Sequence, residues 1–297
     1  MYIDKYGKKR FKVNLHMHTS LSDGHASPAA AAQRYLSEGY DAVAFTDHWV
    51  YGKEQTLNGL TVLSGAEYNT YHGDSRKGVY HIVGIGMEYD PGLTPWETPA
   101  QDAIDAIHEA GGFAILAHPA WSLNTLEQIK GLRDIDATEI YNSVSATHKF
   151  NRPDSSLIVD MLGAQGIYFP LVAADDTHEY DYDTCISYIM VEAEDNSAAS
   201  IMKGIREGKY YASQGPEVHI RREGNEIVAE TSACKQITFH SNLAWSDNFR
   251  TRYGDALTEE RYVISPDESF VRVEVIDGWG RRAWSQIIPI PENETIV

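Results

Sequence analysis

The sequence predicts an α/β fold in which a barrel-like domain over residues 1–213 is followed by a small β-rich, sandwich-like domain over residues 214–297. Three observations predict it. From Phe11 to Tyr211 short apolar runs alternate with helix-like segments, the pattern of βαβ units around a parallel sheet. Beyond Gln214 the segments become short, rich in β-branched and aromatic residues, and separated by turn residues. The composition supplies a core large enough for either one big barrel or a domain pair: 297 residues, 42% hydrophobic and 23% charged, with 6 Trp, 18 Tyr and 8 Phe, far from the signature of disorder.

Taken in order, the candidate strands of the first domain are Lys12–His16, Ala42–Phe45, Thr61–Ser64, Tyr80–Ile85, Phe113–Leu116, Ala137–Tyr141, Tyr168–Val172 and Cys185–Val191. Helices are expected at Pro28–Glu38, where Ser27 can cap and Pro28 can take the first turn, and at Pro99–Ala110, Pro153–Gln165 and Ser197–Glu207. Gly39, Gly111, Gly166 and Gly208 follow them as stop signals. In the tail, VHIRRE, EIVAET, KQITFHS, RYVIS, FVRVEVID and AWSQIIPI read as strands, and Asp247–Glu260 as a long polar excursion between them. No internal repeat or low-complexity tract interrupts the chain.

Charge narrows the function. Lys and Arg total 25 against 43 Asp and Glu, a net charge of −18, which repels phosphate backbones and anionic lipid surfaces. Long nucleic acid and membranes are therefore excluded as expected partners. A small anionic substrate is not, because bound divalent cations overturn a local field. Cys185 and Cys234 are the only cysteines, too few for a disulfide framework or a Cys-rich zinc site. MYIDKYGKKRFKV carries no apolar run before His16, and no stretch approaches the ~18 apolar residues of a membrane span, so a cytoplasmic location is expected. The oligomeric state stays open.

Ligand-type side chains recur where candidate strands end. In NLHMHTSLSDG, His16 and His18 are two apart at a strand exit, so an extended backbone projects both imidazoles to one face. AFTDHWV delivers His48, LSGAEYN delivers Glu67, ILAHPA delivers His118, and VAADDTH delivers Asp176 and His178. His81, in YHIVGIG, departs from the pattern by standing at the start of its run. Six of the twelve histidines, with Asp23, Glu67 and Asp176, thus converge on strand termini, where parallel α/β barrels carry their active sites. Imidazole and carboxylate without thiolate suit Zn, Mn or Fe, and a carboxylate such as Glu67 can bridge two ions. Asp23 lies in Ser-Asp-Gly, equally a common turn.

These motifs, HMHTSLSDG, FTDH, GAE, the His81 segment, AHP and DTH, in this order over residues 11–180, resemble those of the polymerase-and-histidinol-phosphatase (PHP) superfamily. The tail ending in RVEVIDGWGRRAWSQIIPI is similar to that of the CehA/McbA-like branch, which includes carbamate hydrolases. The resemblance implies a distorted seven-stranded (β/α)7 TIM-like barrel, the eighth candidate strand being peripheral. It also implies two or three divalent ions. Carried over, His16, His18, Glu67 and Asp176 would hold one ion; Glu67, His81 and His118 a second; Asp23, His48 and His178 a third. Some relatives have His where this chain has Asp23. A metal-activated water held among Glu67, Asp176 and His178 would then hydrolyse a small phosphorylated metabolite, such as a nucleotide or sugar phosphate. The alternatives are a carbamate, ester or amide hydrolase, and a metal-stabilised binding module without turnover. No Walker-type loop or Gly-x-Ser-x-Gly elbow competes.

Several neighbours keep two readings. Asp47 and Asp175 are either orienters of adjacent imidazoles or turn-capping carboxylates; Glu139 and Asn142 either face the pocket or are structural. His72, Arg76, Lys77, His148 and Arg152 are either solvated or contacts for an anionic group. His25, His108, His219 and His240 read as structural or surface residues.

Overall fold

The computed structural model describes residues 1–70, 74–95 and 97–291. They divide into two compact units, Met1–Ser155 with Val172–Tyr210, and Ser156–Leu171 with the chain from Tyr211 onward. The helices are α1 (Pro28–Ser37), α2 (Ala100–Glu109), α3 (Pro119–Ser122), α4 (Leu126–Lys130), α5 (Ser156–Gly163) and α6 (Ala198–Arg206). Among the described residues no helix is long and apolar enough to cross a membrane.

The first unit contains β1 (Tyr2–Ile3), β2 (Lys9–Asn14), β3 (Ala42–Ala44), β4 (Gln55–Leu57), β5 (Leu60–Leu63), β6 (Gly65–Thr70), β7 (Tyr80–Ile85), β8 (Phe113–Leu116), β9 (Ala137–Asn142), β10 (Leu171–Ala174) and β11 (Tyr188–Glu192). They run in two series, β11-β2-β3-β5-β4, with β1 beside β2, and β10-β9-β8-β7-β6. Strands β3, β5, β8 and β10 are buried at every position, as their sequences, apolar but for Thr61, require. Helix α1 starts where expected, its Ser27 hydroxyl accepting from the Ala30 N–H, and ends before Gly39 at φ +75°. It packs Ala31, Ala32 and Tyr35 against Val43, Phe45, Leu60 and Val62.

The all-parallel sheet expected from the sequence is corrected to a mixed one. Pairs β2–β3, β3–β5 and β8–β9 are parallel, while β6–β7, β7–β8 and β11–β2 are antiparallel. Gly65–Thr70 is itself a strand that the sequence reading left out, because LSGAEYN looks like a strand exit. Only Ser64 separates it from β5, and the short link from β6 to β7 lacks the long crossover that a parallel pair needs. Gly65 is required here. A Cβ would lie 2.8 Å from the Phe45 carbonyl oxygen and 3.0 Å from Thr46 Cγ2, so its absence lets β6 run beside the segment after β3.

The second unit contains β12 (Tyr210–Ser213), β13 (Val218–Glu223), β14 (Glu226–Ser241), β15 (Thr251–Val263), β16 (Phe270–Ile276), β17 (Arg282–Trp284) and β18 (Ile288–Pro289), joined as an antiparallel sheet. Helix α5 belongs to this unit, tied to it by Asp160, which takes two hydrogen bonds of 2.7 Å from the fully buried Arg272. EIVAET and KQITFHS are one strand with register shifts rather than two. The polar excursion expected at Asp247–Glu260 is corrected as well: from Thr251 it is β15. Its mostly exposed residues leave no apolar alternation to read.

Candidate metal centre

Each element of the first unit delivers its ligand-type side chain for a local reason. After β2 the chain stays extended through the parallel bridge Met17–Thr177, so Met17 points into the core while His16 and His18 share the opposite face. His48 follows β3 and is bridged to Glu67 of β6. Glu67 is thus inside a strand, not beyond one. His81 is the second residue of β7, and because β7 is antiparallel to β6 and β8 its start lies level with their ends, next to His118; this removes the anomaly of its position. His118 and Asp176 adopt left-handed backbone at φ +29° and +56°. Such conformations cost about 1–3 kcal/mol and persist where the surroundings enforce them, commonly at functional sites.

Seven of these side chains close into one cage. His16 Nε2 lies 3.3 Å from Glu67 Oε2 and 3.2 Å from Asp176 Oδ1, and His18 Nε2 is 3.1 Å from both oxygens. His48 Nδ1 stands 3.1 Å from Glu67 Oε2; His81 Nδ1 is 2.7 Å and His118 Nε2 3.6 Å from Glu67 Oε1. At the mouth, half-exposed Asp23 faces His178 Nε2 at 3.5 Å, His18 Nδ1 at 3.6 Å and His48 Nε2 at 3.7 Å. The donors form three groups, each spanning no more than 4.8 Å: His16, His18, Glu67 and Asp176; Glu67, His81 and His118; and His18, Asp23, His48 and His178. All nine residues singled out from the sequence fall in these groups. His18 joins two of them, one ring nitrogen facing each.

The residues fit divalent ions. Glu67 Oε2, Asp176 Oδ1, His81 Nε2 and His48 Nδ1 are buried without a hydrogen-bond partner, although unsatisfied buried polar atoms are costly and rare. Burial favours the neutral form of every group, yet Glu67 and Asp176 are held well below the usual carboxylate range, chiefly by His16. Burial would likewise depress His18, but the Asp176 and Glu67 carboxylates 3.1 Å from its Nε2 carry it up to about 9; His48, where burial prevails over Glu67, is pushed down to about 4. Two buried carboxylates kept ionised demand positive charge, which protons on imidazoles or metal ions can supply.

Glu139 is the partner that the sequence left undecided. Its Oε1 accepts from His16 Nδ1 at 2.8 Å, and its Oε2 accepts from the His118 N–H at 2.9 Å and Asn142 Nδ2 at 2.8 Å. Fixing Nδ1–H leaves the Nε2 lone pair of His16 facing the cage. The Asp176 carbonyl, 2.8 Å from His178 Nδ1, has the same effect on that ring, while Ser122 Oγ sits 3.2 Å from His118 Nδ1. Among the described residues Asp47 and Asp175 bond no imidazole. Asp47 accepts from the Thr19 N–H and hydroxyl and from Ser22, fixing the loop that carries Asp23; Asp175 accepts from Tyr35, Ser143 and the N–H groups of Cys185, Ile186 and Ser187.

A cavity of about 260 Å³ opens onto the cage, lined also by Asn69, Trp121, Thr147, Lys149, Phe150 and Tyr182, of which the sequence reading named none. THKFNRP drew attention to His148 and Arg152, but the residues of this segment that line the cavity are Thr147, Lys149 and Phe150, with Lys149 3.2 Å from Glu179. Arg76 pairs with Asp74 and, like Lys77, is not in the lining; His72 lies outside the described residues. His25, His108, His219 and His240 pair with Glu179, Asp136, Glu217 and Asp160 and belong to no group above.

Comparison with known proteins gives a family. The model of the PHP domain matches residues 14–214. Among solved structures, a two-domain protein of Bacteroides vulgatus, described as containing a predicted PHP-like metal-dependent phosphoesterase, aligns over 95% of each chain at 14% identity with a TM-score of 0.54. At that identity the likeness shows the fold alone. An amidohydrolase of Chromobacterium violaceum, solved with bound sulfate and no metal, aligns over 58% of this chain and 89% of its own at 16% identity, TM-score 0.43. No curated protein matches.

Proposed function

Since this chain belongs to the PHP domain family, we propose that the cage holds two or three divalent ions, Zn, Mn or Fe, and that the protein hydrolyses the phosphoester of a small metabolite such as a nucleotide or sugar phosphate. One observation carries the reading: nine donors from successive strands meet in three groups sharing Glu67 and His18, with four buried donor atoms left unpartnered. Glu67, His16, His18 and Asp176 would hold the innermost ion, His81 and His118 with Glu67 a second, and Asp23, His48 and His178 a third. Ions so held would activate water near neutral pH and neutralise charge on the ester's non-bridging oxygens. The chain's own part is orientation. Glu139 keeps His16 in the tautomer whose Nε2 faces the cage, Ser122 orients the His118 ring, and Asp47 holds the loop bearing Asp23 in place. The same family reading supports taking β2, β3, β6, β7, β8, β9 and β10 as a distorted seven-stranded barrel, with the bridges His48–Glu67 and Met17–Thr177 linking the two series.

The test is to load purified protein with Mn or Zn and assay phosphomonoesters, phosphodiesters, aryl carbamates and carboxylic esters beside the His16→Ala, Glu67→Ala double variant. Phosphoester turnover lost in the double variant is expected. Turnover of carbamates or esters alone would move the assignment to the carbonyl hydrolases. Metal binding with a thermal shift but no turnover would leave a binding module.

A further inference from the structure

Asn69 lines the cavity, and its environment gives it a specific task. Glu67 and Asn69 are two apart in β6, so both side chains leave the strand on the face that carries the cage. Asn69 is paired across the ladder with His81, is 6% exposed, and lines the cavity. The indole Nε1 of Trp49 donates to its Oδ1. Indole N–H is a donor only, so the group opposite it must be the amide oxygen and the Asn69 amide cannot be flipped. Its Nδ2 then turns away from Trp49, and it has no acceptor among the described residues. Trp49 is itself immobilised: it adopts φ +58°, donates its N–H to the Glu67 carbonyl at 2.9 Å, and packs edge-on against Tyr68. A nearly buried side chain whose amide donor still opens onto the cavity is placed to bind an acceptor there.

Resting on the phosphoesterase reading, we propose that Asn69 is a substrate-contacting residue whose amide N–H, aimed by Trp49, donates to a non-bridging oxygen of the substrate's phosphoryl group. Within one residue of His48, Trp49 thereby serves as its positioning residue, and the loop after β3 sets both a cage donor and the substrate's hydrogen-bond donor.

Inorganic phosphate is the probe. Its binding to metal-loaded protein is measured by calorimetry for the wild type, Asn69→Ala, Asn69→Asp and Trp49→Phe, with metal content determined for each. Losing a hydrogen bond to a charged group weakens phosphate binding by about tenfold or more in Asn69→Ala, and Asn69→Asp weakens it further by placing a carboxylate against the anion. Trp49→Phe keeps every cage side chain, frees the amide to flip, and is expected to weaken phosphate several-fold at unchanged metal content. Unchanged phosphate affinity in both Asn69→Ala and Trp49→Phe overturns the inference, as does a wild type that binds metal but no phosphate. The two readings fail separately. Phosphoester turnover with Asn69-independent phosphate binding removes Asn69 alone, whereas Asn69-dependent phosphate binding without any turnover removes the hydrolase and keeps the contact.

Discussion

Replacing Glu139 by Gln probes how the cage keeps its imidazoles ready for metal. The substitution preserves shape but turns one acceptor into a donor, and both oxygens are in use: Oε1 by His16 Nδ1, Oε2 by the His118 N–H and Asn142 Nδ2. The new amide nitrogen must face one side. Toward Oε2's partners it would oppose a backbone N–H that cannot change, and an Asn142 amide whose Oδ1 is fixed by the Ser145 N–H at 3.1 Å and hydroxyl at 2.8 Å. Toward His16 it meets a ring that can switch tautomer. The proton then moves to Nε2, where Glu67 and Asp176 accept it at 3.3 and 3.2 Å, and the lone pair that pointed into the cage is lost. Outer partners of metal-bound imidazoles are worth about 10–100-fold in affinity, or roughly 1.4–2.7 kcal/mol. Titrating metal-stripped protein with Zn or Mn should therefore show one class of site weakened by that factor in Glu139→Gln, with thermal unfolding of the metal-free protein nearly unchanged. Glu139→Ala is the contrast, since it strips acceptors from three buried donors and should destabilise the metal-free protein itself by several kcal/mol, at about 1–3 kcal/mol per orphaned group. Metal affinity of Glu139→Gln within about twofold of the wild type, well short of the expected loss, would refute the tautomer argument.

Two further outcomes follow from the structure. Gly24→Ala would bring a Cβ to 2.3 Å from the His18 carbonyl oxygen and 2.7 Å from the Thr19 nitrogen, both backbone atoms, so the loop carrying Asp23 must move; at least one ion per chain should be lost, and a full complement by elemental analysis would contradict this. In the second unit, Asp160→Asn breaks the pair with buried Arg272, expected to cost about 3–5 kcal/mol in urea unfolding. Burial pushes the Asp160 carboxyl up, but hydrogen bonds from His240 and Arg272 more than reverse this, so its folded pKa lies below the unfolded one. Its stabilisation is then complete above the ordinary Asp range and fades as pH falls through the folded value; a wild-type advantage over Asp160→Asn that grew on acidification would show the sign to be wrong.

Much of the cage was legible in the sequence because it is a matter of side-chain type and order. His16 and His18, His48, Glu67, His118, Asp176 and His178 follow or sit within short apolar runs, and an apolar run is readable from one strand alone. The same local signals identified α1, from Ser27 and Pro28 to Gly39. What stayed hidden depends on which strands become neighbours. A strand's direction relative to its partner leaves no mark in its own residues, so the antiparallel setting of β7, which places His81 level with His118, appears only when the sheet is assembled. The roles of Glu139 and Asn69 were hidden for the same reason: a carboxylate or amide in a strand reads alike whether it meets solvent or an imidazole, and only a side chain 123 residues away, His16, decides for Glu139. Composition and spacing thus determined which chemistry the chain carries. Tertiary structure decided its geometry, because hydrogen-bond partners are chosen by proximity in space, which pairing of distant strands creates and local sequence does not encode.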